Sequence, residues 1–137
     1  MIGLDSNILL RFVLQDDERQ FAMANDVIAS CSSKQPGYVN LVVLCEVVWF
    51  LTKQAKLDRV FVAEIFAGLL QTTDLKFERP DIVARALEDV RVLGSGFADR
   101  IIALINLEDG CVHTVTFDRK AGRTVGFRPV DPAQTSS

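Results

Sequence analysis

The chain predicts an α/β fold: a three-layer sandwich whose mainly parallel central sheet has four to five strands and helices on both faces. Three observations carry this expectation. Short apolar stretches alternate with longer segments of helical apolar period. The opening MIGLDSNILLRFVL reads as a brief strand that breaks at Asp5-Ser6-Asn7 and turns into a helix. The late stretch Cys111 to Phe117 is rich in Val and Thr, as a buried strand is. Strands that alternate with helices pair in parallel beneath helical layers.

The elements follow in order. Ile2 to Leu4 forms the first strand, and Ile8, Leu9, Phe12 and Val13 make the inward stripe of the first helix. Asp16 or Asp17 caps a second helix to about Cys31, burying Phe21, Ala24, Val27 and Ile28. Pro36-Gly37 turns the chain into a very short strand at Tyr38-Val39. Asn40 caps a third helix from Leu41 to about Ala55, and a fourth runs from Arg59 to Gln71. These two suggest an α-hairpin, with Trp49, Phe50, Phe61 and Phe66 filling the space between them or offering a partner surface. Thr73 to Phe77 reads as a strand, and Pro80 starts a helix that ends near Leu93. Gly94-Ser95-Gly96 is a flexible joint before an apolar helix from Phe97 to Leu107, stopped by Asp109-Gly110. The core strand through Cys111 to Phe117 follows, with His113 as a core or interface residue, then a last strand at Phe127 to Val130. Residues 1–131 are expected to be a single domain, and Pro132 to Ser137 a polar, disordered tail.

Composition bounds the function. The 137 residues are 49% hydrophobic and 24% charged, which suits a soluble globular chain. A net charge of -3 argues against a protein that coats nucleic acid, but not against an enzyme that grips it locally. The longest apolar run, Leu41 to Leu51, is broken by Glu46 and is too short to span a bilayer. The N-terminus lacks a signal-peptide pattern. Cys31, Cys45 and Cys111 are odd in number and widely spaced, which fits reduced, buried thiols in the cytoplasm.

Four carboxylates stand out. Glu46 is the only charge between Leu41 and Thr52, so burial would require a partner, neutrality or a cation. The alternative is a narrow polar stripe facing solvent, or a core Arg that it offsets. Asp99 lies in the first turn of the helix after the glycine joint, where dipole complementarity is a sufficient alternative role. Asp118 follows the core strand directly, and Asp5 ends the first one. Turn opening and helix capping are their structural alternatives. All four are predicted at the edge where open α/β sheets bind ligands. Clustered carboxylates repel unless a cation joins them, and Mg²⁺ or Mn²⁺ is the matching hard ion. A metal there suits phosphoryl chemistry, since it draws in a phosphate and activates water.

The order LDSN, an apolar helix with a central Glu, FAD at a helix start, and TFDRKAG resembles PIN-domain ribonucleases, and more closely VapC-type toxins of bacterial toxin–antitoxin pairs. The likeness runs from residue 1 to about 130. It implies that Asp5, Glu46, Asp99 and Asp118 form the acidic catalytic site. Asp5 and Asp99 would bind the metal directly, with Glu46 and Asp118 acting through water or on a second ion. Asn7, Thr116 and Ser6 would support them by hydrogen bonds. The resemblance further implies RNA as substrate, Mg²⁺ or Mn²⁺ as cofactor, a homodimer, and inhibition by a cognate antitoxin. Arg100, directly after Asp99, departs from the apolar residue common at that point. It has three readings: substrate contact, a pair with an acid, or solvent exposure, the last being the default.

Arg119, Lys120, Arg123 and Arg128 follow Asp118 as a basic patch that suits RNA phosphates or a solvated turn, and Arg11 borders the same groove. Rival readings fit less well. A phosphatase of the haloacid dehalogenase type would have Asp where Asn7 stands. Glu46 in mid-helix does not suit a receiver domain. A catalytically silent PIN-like interaction module remains the alternative to a metal-dependent endoribonuclease.

Overall fold

The computed structural model describes residues 1–130, so the expected tail from Pro132 to Ser137 lies outside the described residues. Its elements are β1 (Ile2–Gly3), α1 (Ser6–Leu14), α2 (Glu18–Ala29), β2 (Gly37–Val39), α3 (Leu41–Trp49), α4 (Arg59–Leu70), β3 (Leu75–Phe77), α5 (Pro80–Leu93), α6 (Phe97–Glu108), β4 (Thr114–Thr116) and β5 (Phe127–Pro129). A π-helical turn, Phe50–Gln54, extends α3, and a 3₁₀ turn, Ala121–Arg123, lies between β4 and β5. The fold is α/β with parallel strands throughout, as expected.

The expected continuous sheet takes a different form. The described strands form two ladders, β1-β2-β3 and β4-β5. Leu4, Val39, Leu75 and Phe77 join the main core beneath the first ladder. Gly37 lets β2 lie close to its neighbours, since a Cβ there would sit 2.8 Å from Leu4 Cδ1 and 3.1 Å from Cys31 Sγ.

Caps fix the helix starts. Asp17, rather than Asp16, accepts the Gln20 N–H at 3.0 Å, while Asn40 accepts from Val43 at 2.8 Å. Asp58 does the same for Phe61 at 3.2 Å. The Leu41 N–H is held by Glu78 Oε1 at 2.9 Å, which ties α3 to the end of β3. Each such cap supplies a partner for an otherwise orphan donor.

Packing corrects several expectations. α4 packs chiefly against α5 rather than forming a hairpin with α3. Phe66 is fully buried, but Trp49, Phe50 and Phe61 are exposed. In α2 only Ala24 is buried, and Val27 faces outward. The stretch expected as a core strand is the largest departure. Only Thr114–Thr116 pair, His113 is half-buried, and Val112, Val115 and Phe117 are exposed. The β4-β5 ladder leans on α6 through Asn106, whose Nδ2 donates to Thr114 Oγ1 at 2.9 Å. Gly126, at φ +91, lies 3.1 Å from Ala103 Cβ at its would-be Cβ, so only glycine permits that contact without strain. The sequence periodicity of β4 could not reveal that its outer face has no covering layer among the described residues.

Candidate active site

The first turn of α6 positions Asp99. Gly94, at φ +69, closes α5 in the left-handed region and donates to the Val90 carbonyl. Gly96 then occupies the N-cap of α6 without a side-chain cap. Asp99 is half-buried, and its Oδ2 lies 3.4 Å from where a Cβ on Gly96 would stand. The bare glycine backbone thus leaves room for the carboxylate to fold against the joint. A carboxylate here also complements the helix dipole.

A separate hydrogen-bonded turn positions Asp118. Thr116 Oγ1 accepts the Asp118 N–H at 3.1 Å. Asp118 Oδ1 accepts the N–H groups of Lys120 at 2.9 Å and Ala121 at 3.1 Å, and so opens the 3₁₀ turn. Its second oxygen has no protein donor among the described residues. The turn-opening role weighed for Asp118 is real, and it leaves half the carboxylate free.

Asp99 and Asp118 line one cavity of about 480 Å³. Asp5 and Glu46 do not line it. Asp5 is exposed at the joint between β1 and α1, where its Oδ1 accepts the Ser6 N–H at 2.8 Å. Glu46 is exposed too, without an ion pair among the described residues. That corrects the burial argument for Glu46: α3 exposes a face that also carries Val42 and Trp49, and the acid lies on it. Asn7 is exposed and Ser6 half-buried on α1. Among the described residues, no three His, Cys, Asp or Glu side chains come close enough together to hold a metal ion. The donor chemistry nevertheless suits Mg²⁺, which takes only one or two carboxylates directly and keeps several waters. Asp99 and Asp118 are two such carboxylates lining the cavity.

Arg100 is the clearest correction to a default reading. It is 1% exposed, the largest fully buried side chain among the described residues. It pairs with Asp89 and with the Val125 carbonyl, so it faces neither solvent nor substrate. Arg11 pairs with Asp16 at 3.5 Å on the surface. Arg119, Arg123 and Arg128 are exposed, while Lys120 lines the cavity.

Other cavity residues were not among the site residues expected from the sequence. Trp49, Lys53, Arg59 and Ser95 line it. Their signals were an aromatic and a lysine closing an apolar helix, and a serine between two glycines. The π-helical turn, bonded from the Ala55 N–H to the Phe50 carbonyl, carries Lys53. Cys45 also lines the cavity, and burial pushes its thiol above the usual range.

The family model of the PIN domain matches residues 2–126. The chain belongs to the PIN-domain family. PIN domains are generally nucleases that depend on divalent metal. No similar sequence was found among curated proteins. No helix of this PIN domain is long and apolar enough to cross a membrane, among the described residues.

Proposed function

We propose that this PIN domain is a metal-dependent endoribonuclease, the toxin component of a type II toxin–antitoxin pair. One observation carries the catalytic part: Asp99 and Asp118, from α6 and the end of β4, line the same cavity in a chain of a nuclease family. In this reading Asp99 and Asp118 hold Mg²⁺ or Mn²⁺ there; the family resemblance instead gives Asp5 and Asp99 as the direct ligands, with Glu46 and Asp118 acting through water or on a second ion. Bound metal supplies a polarised water and charge stabilisation at the scissile phosphate. The chain's own groups do the rest. Thr116 steadies the backbone at Asp118, Lys120 offers a cation for phosphate, and the bare N-terminus of α6 favours an anion.

The toxin assignment rests on the ordered motifs LDSN, FAD and TFDRKAG. It brings with it a cytoplasmic homodimer and an antitoxin that masks the acidic groove. The alternative is a silent PIN-like module that binds RNA or protein without cleaving.

The test is cleavage of total RNA by purified protein with Mn²⁺ or with EDTA, beside Asp99→Asn. Cleavage that needs both metal and Asp99 supports the nuclease. Equal cleavage by the variant assigns the activity to a contaminant, and binding without cleavage favours the silent module.

A further inference from the structure

We propose that Arg100 is a positioning residue for the acidic site: its buried guanidinium holds the turn that carries Asp118 against the first turn of α6, which carries Asp99. This rests on the reading of those two acids as metal ligands and assigns a further residue that sets them.

Arg100 connects both halves of the site. Its backbone N–H donates to the Gly96 carbonyl at 3.2 Å and closes the helical turn in which Asp99 stands. Its side chain is buried, and there Nη1 donates to the Val125 carbonyl at 2.6 Å. From Val125 a short run of bonds returns to Asp118. Thr124, the preceding residue, donates twice to the Ala121 carbonyl, from its backbone N–H at 2.9 Å and from its hydroxyl at 2.6 Å. The Ala121 N–H in turn donates to Asp118 Oδ1 at 3.1 Å. A shift of Val125 is therefore passed to the turn that holds the Asp118 carboxylate.

The chemistry of this interior position calls for an arginine. An apolar side chain would fill the space without the desolvation cost of a cation, but it would leave the Val125 carbonyl without its donor. A lysine brings one nitrogen where two separate donors are used. The guanidinium serves both partners from one rigid plane, Nε to Asp89 Oδ2 on α5 at 3.1 Å and Nη1 to Val125. Asp89 thereby supplies the opposite charge and aims the fork. Groups that stand behind metal ligands orient them, and losing one weakens metal binding by roughly 10–100-fold.

The full chain is titrated with Mn²⁺, and the free ion is read by electron paramagnetic resonance at a temperature where circular dichroism shows each variant folded. The wild type should bind, and Asp99→Asn should not. Arg100→Lys should bind roughly tenfold more weakly. Thr124→Val keeps the buried pair of Arg100 and Asp89 but removes the hydroxyl bond, and should weaken binding about threefold. If Arg100→Lys does not fold, Thr124→Val decides alone. Val83→Ala is the control for general loosening. Val83 is fully buried in α5 and lies outside this run of bonds, so the variant should melt at a lower temperature with unchanged Mn²⁺ affinity. Wild-type affinity in folded Arg100→Lys or in Thr124→Val would overturn the positioning role. So would an equal loss in Val83→Ala. Each of those leaves the metal reading intact, which fails separately, and takes the positioning role with it, if Asp99→Asn binds Mn²⁺ as the wild type does.

Discussion

Arg100 donates its Nε–H to Asp89 Oδ2 at 3.1 Å, from α6 to α5. The same guanidinium donates through NH1 to the Val125 carbonyl at 2.6 Å, just before β5. One buried cation therefore joins two helices to the ladder that ends in Asp118. A guanidinium can do this because its donors are fixed in a planar fork.

Arg100→Met should destabilise the fold by about 3 kcal/mol, since it strands Asp89 and the Val125 carbonyl. Arg100→Lys should recover only part of that, because an ammonium cannot reproduce the forked geometry. Urea unfolding with an unchanged slope measures both. Equal stability of the lysine variant would contradict the geometric argument.

Mn²⁺ should stabilise the wild-type chain against heat and leave Asp99→Asn unaffected. A ligand at 100 times its Kd, bound by the folded state alone, contributes about 2.7 kcal/mol. Calorimetry in Mn²⁺ and in EDTA reads this without any RNA. An equal shift in the variant would remove Asp99 from the metal site.

Thiol labelling should be ordered. Cys111 is exposed, Cys45 half-buried and Cys31 buried. Burial raises the Cys45 thiol, so its thiolate forms only at a pH higher than usual. Alkylation at neutral pH should therefore modify Cys111 first and reach Cys45 as pH rises. Mass spectrometry of timed samples decides it.

The surface pair of Arg91 with Glu88 gives a pH expectation of known sign. Hydrogen bonding to Arg91 holds the Glu88 carboxyl below its ordinary range. A depressed acid contributes stability above its unfolded pKa and loses it as pH falls through the folded one. Both side chains are half in solvent, so salt should screen the effect. Glu88→Gln should leave stability at pH 7 nearly unchanged and remove a small, salt-sensitive acid-side loss.

Much of this was legible in the chain. Asn40 and Asp17 cap the helices they precede, and Asp99 and Asp118 fall at the ends of elements that periodicity locates. What escaped was tertiary. The burial of Arg100 inverts the usual preference of a charged side chain, the exposure of Glu46 follows it despite the apolar run around it, and nothing within either helix states which neighbour it meets. Val115 and Phe117 alternate as a core strand should, yet the layer that would cover them is absent among the described residues.

The division of the strands into two ladders gives the protein two lifetimes. The β1-β2-β3 amides close beneath the main core, whereas the β4-β5 amides depend on a short ladder with one open face. Native-state hydrogen exchange should release Thr114 and Val130 by a local opening of lower free energy than Leu4 or Glu78. Asp118, two residues beyond β4, would move with such an opening relative to Asp99 on α6. An ion bridging the two carboxylates would then act as a tether, slowing the exchange of a ladder whose backbone it never touches.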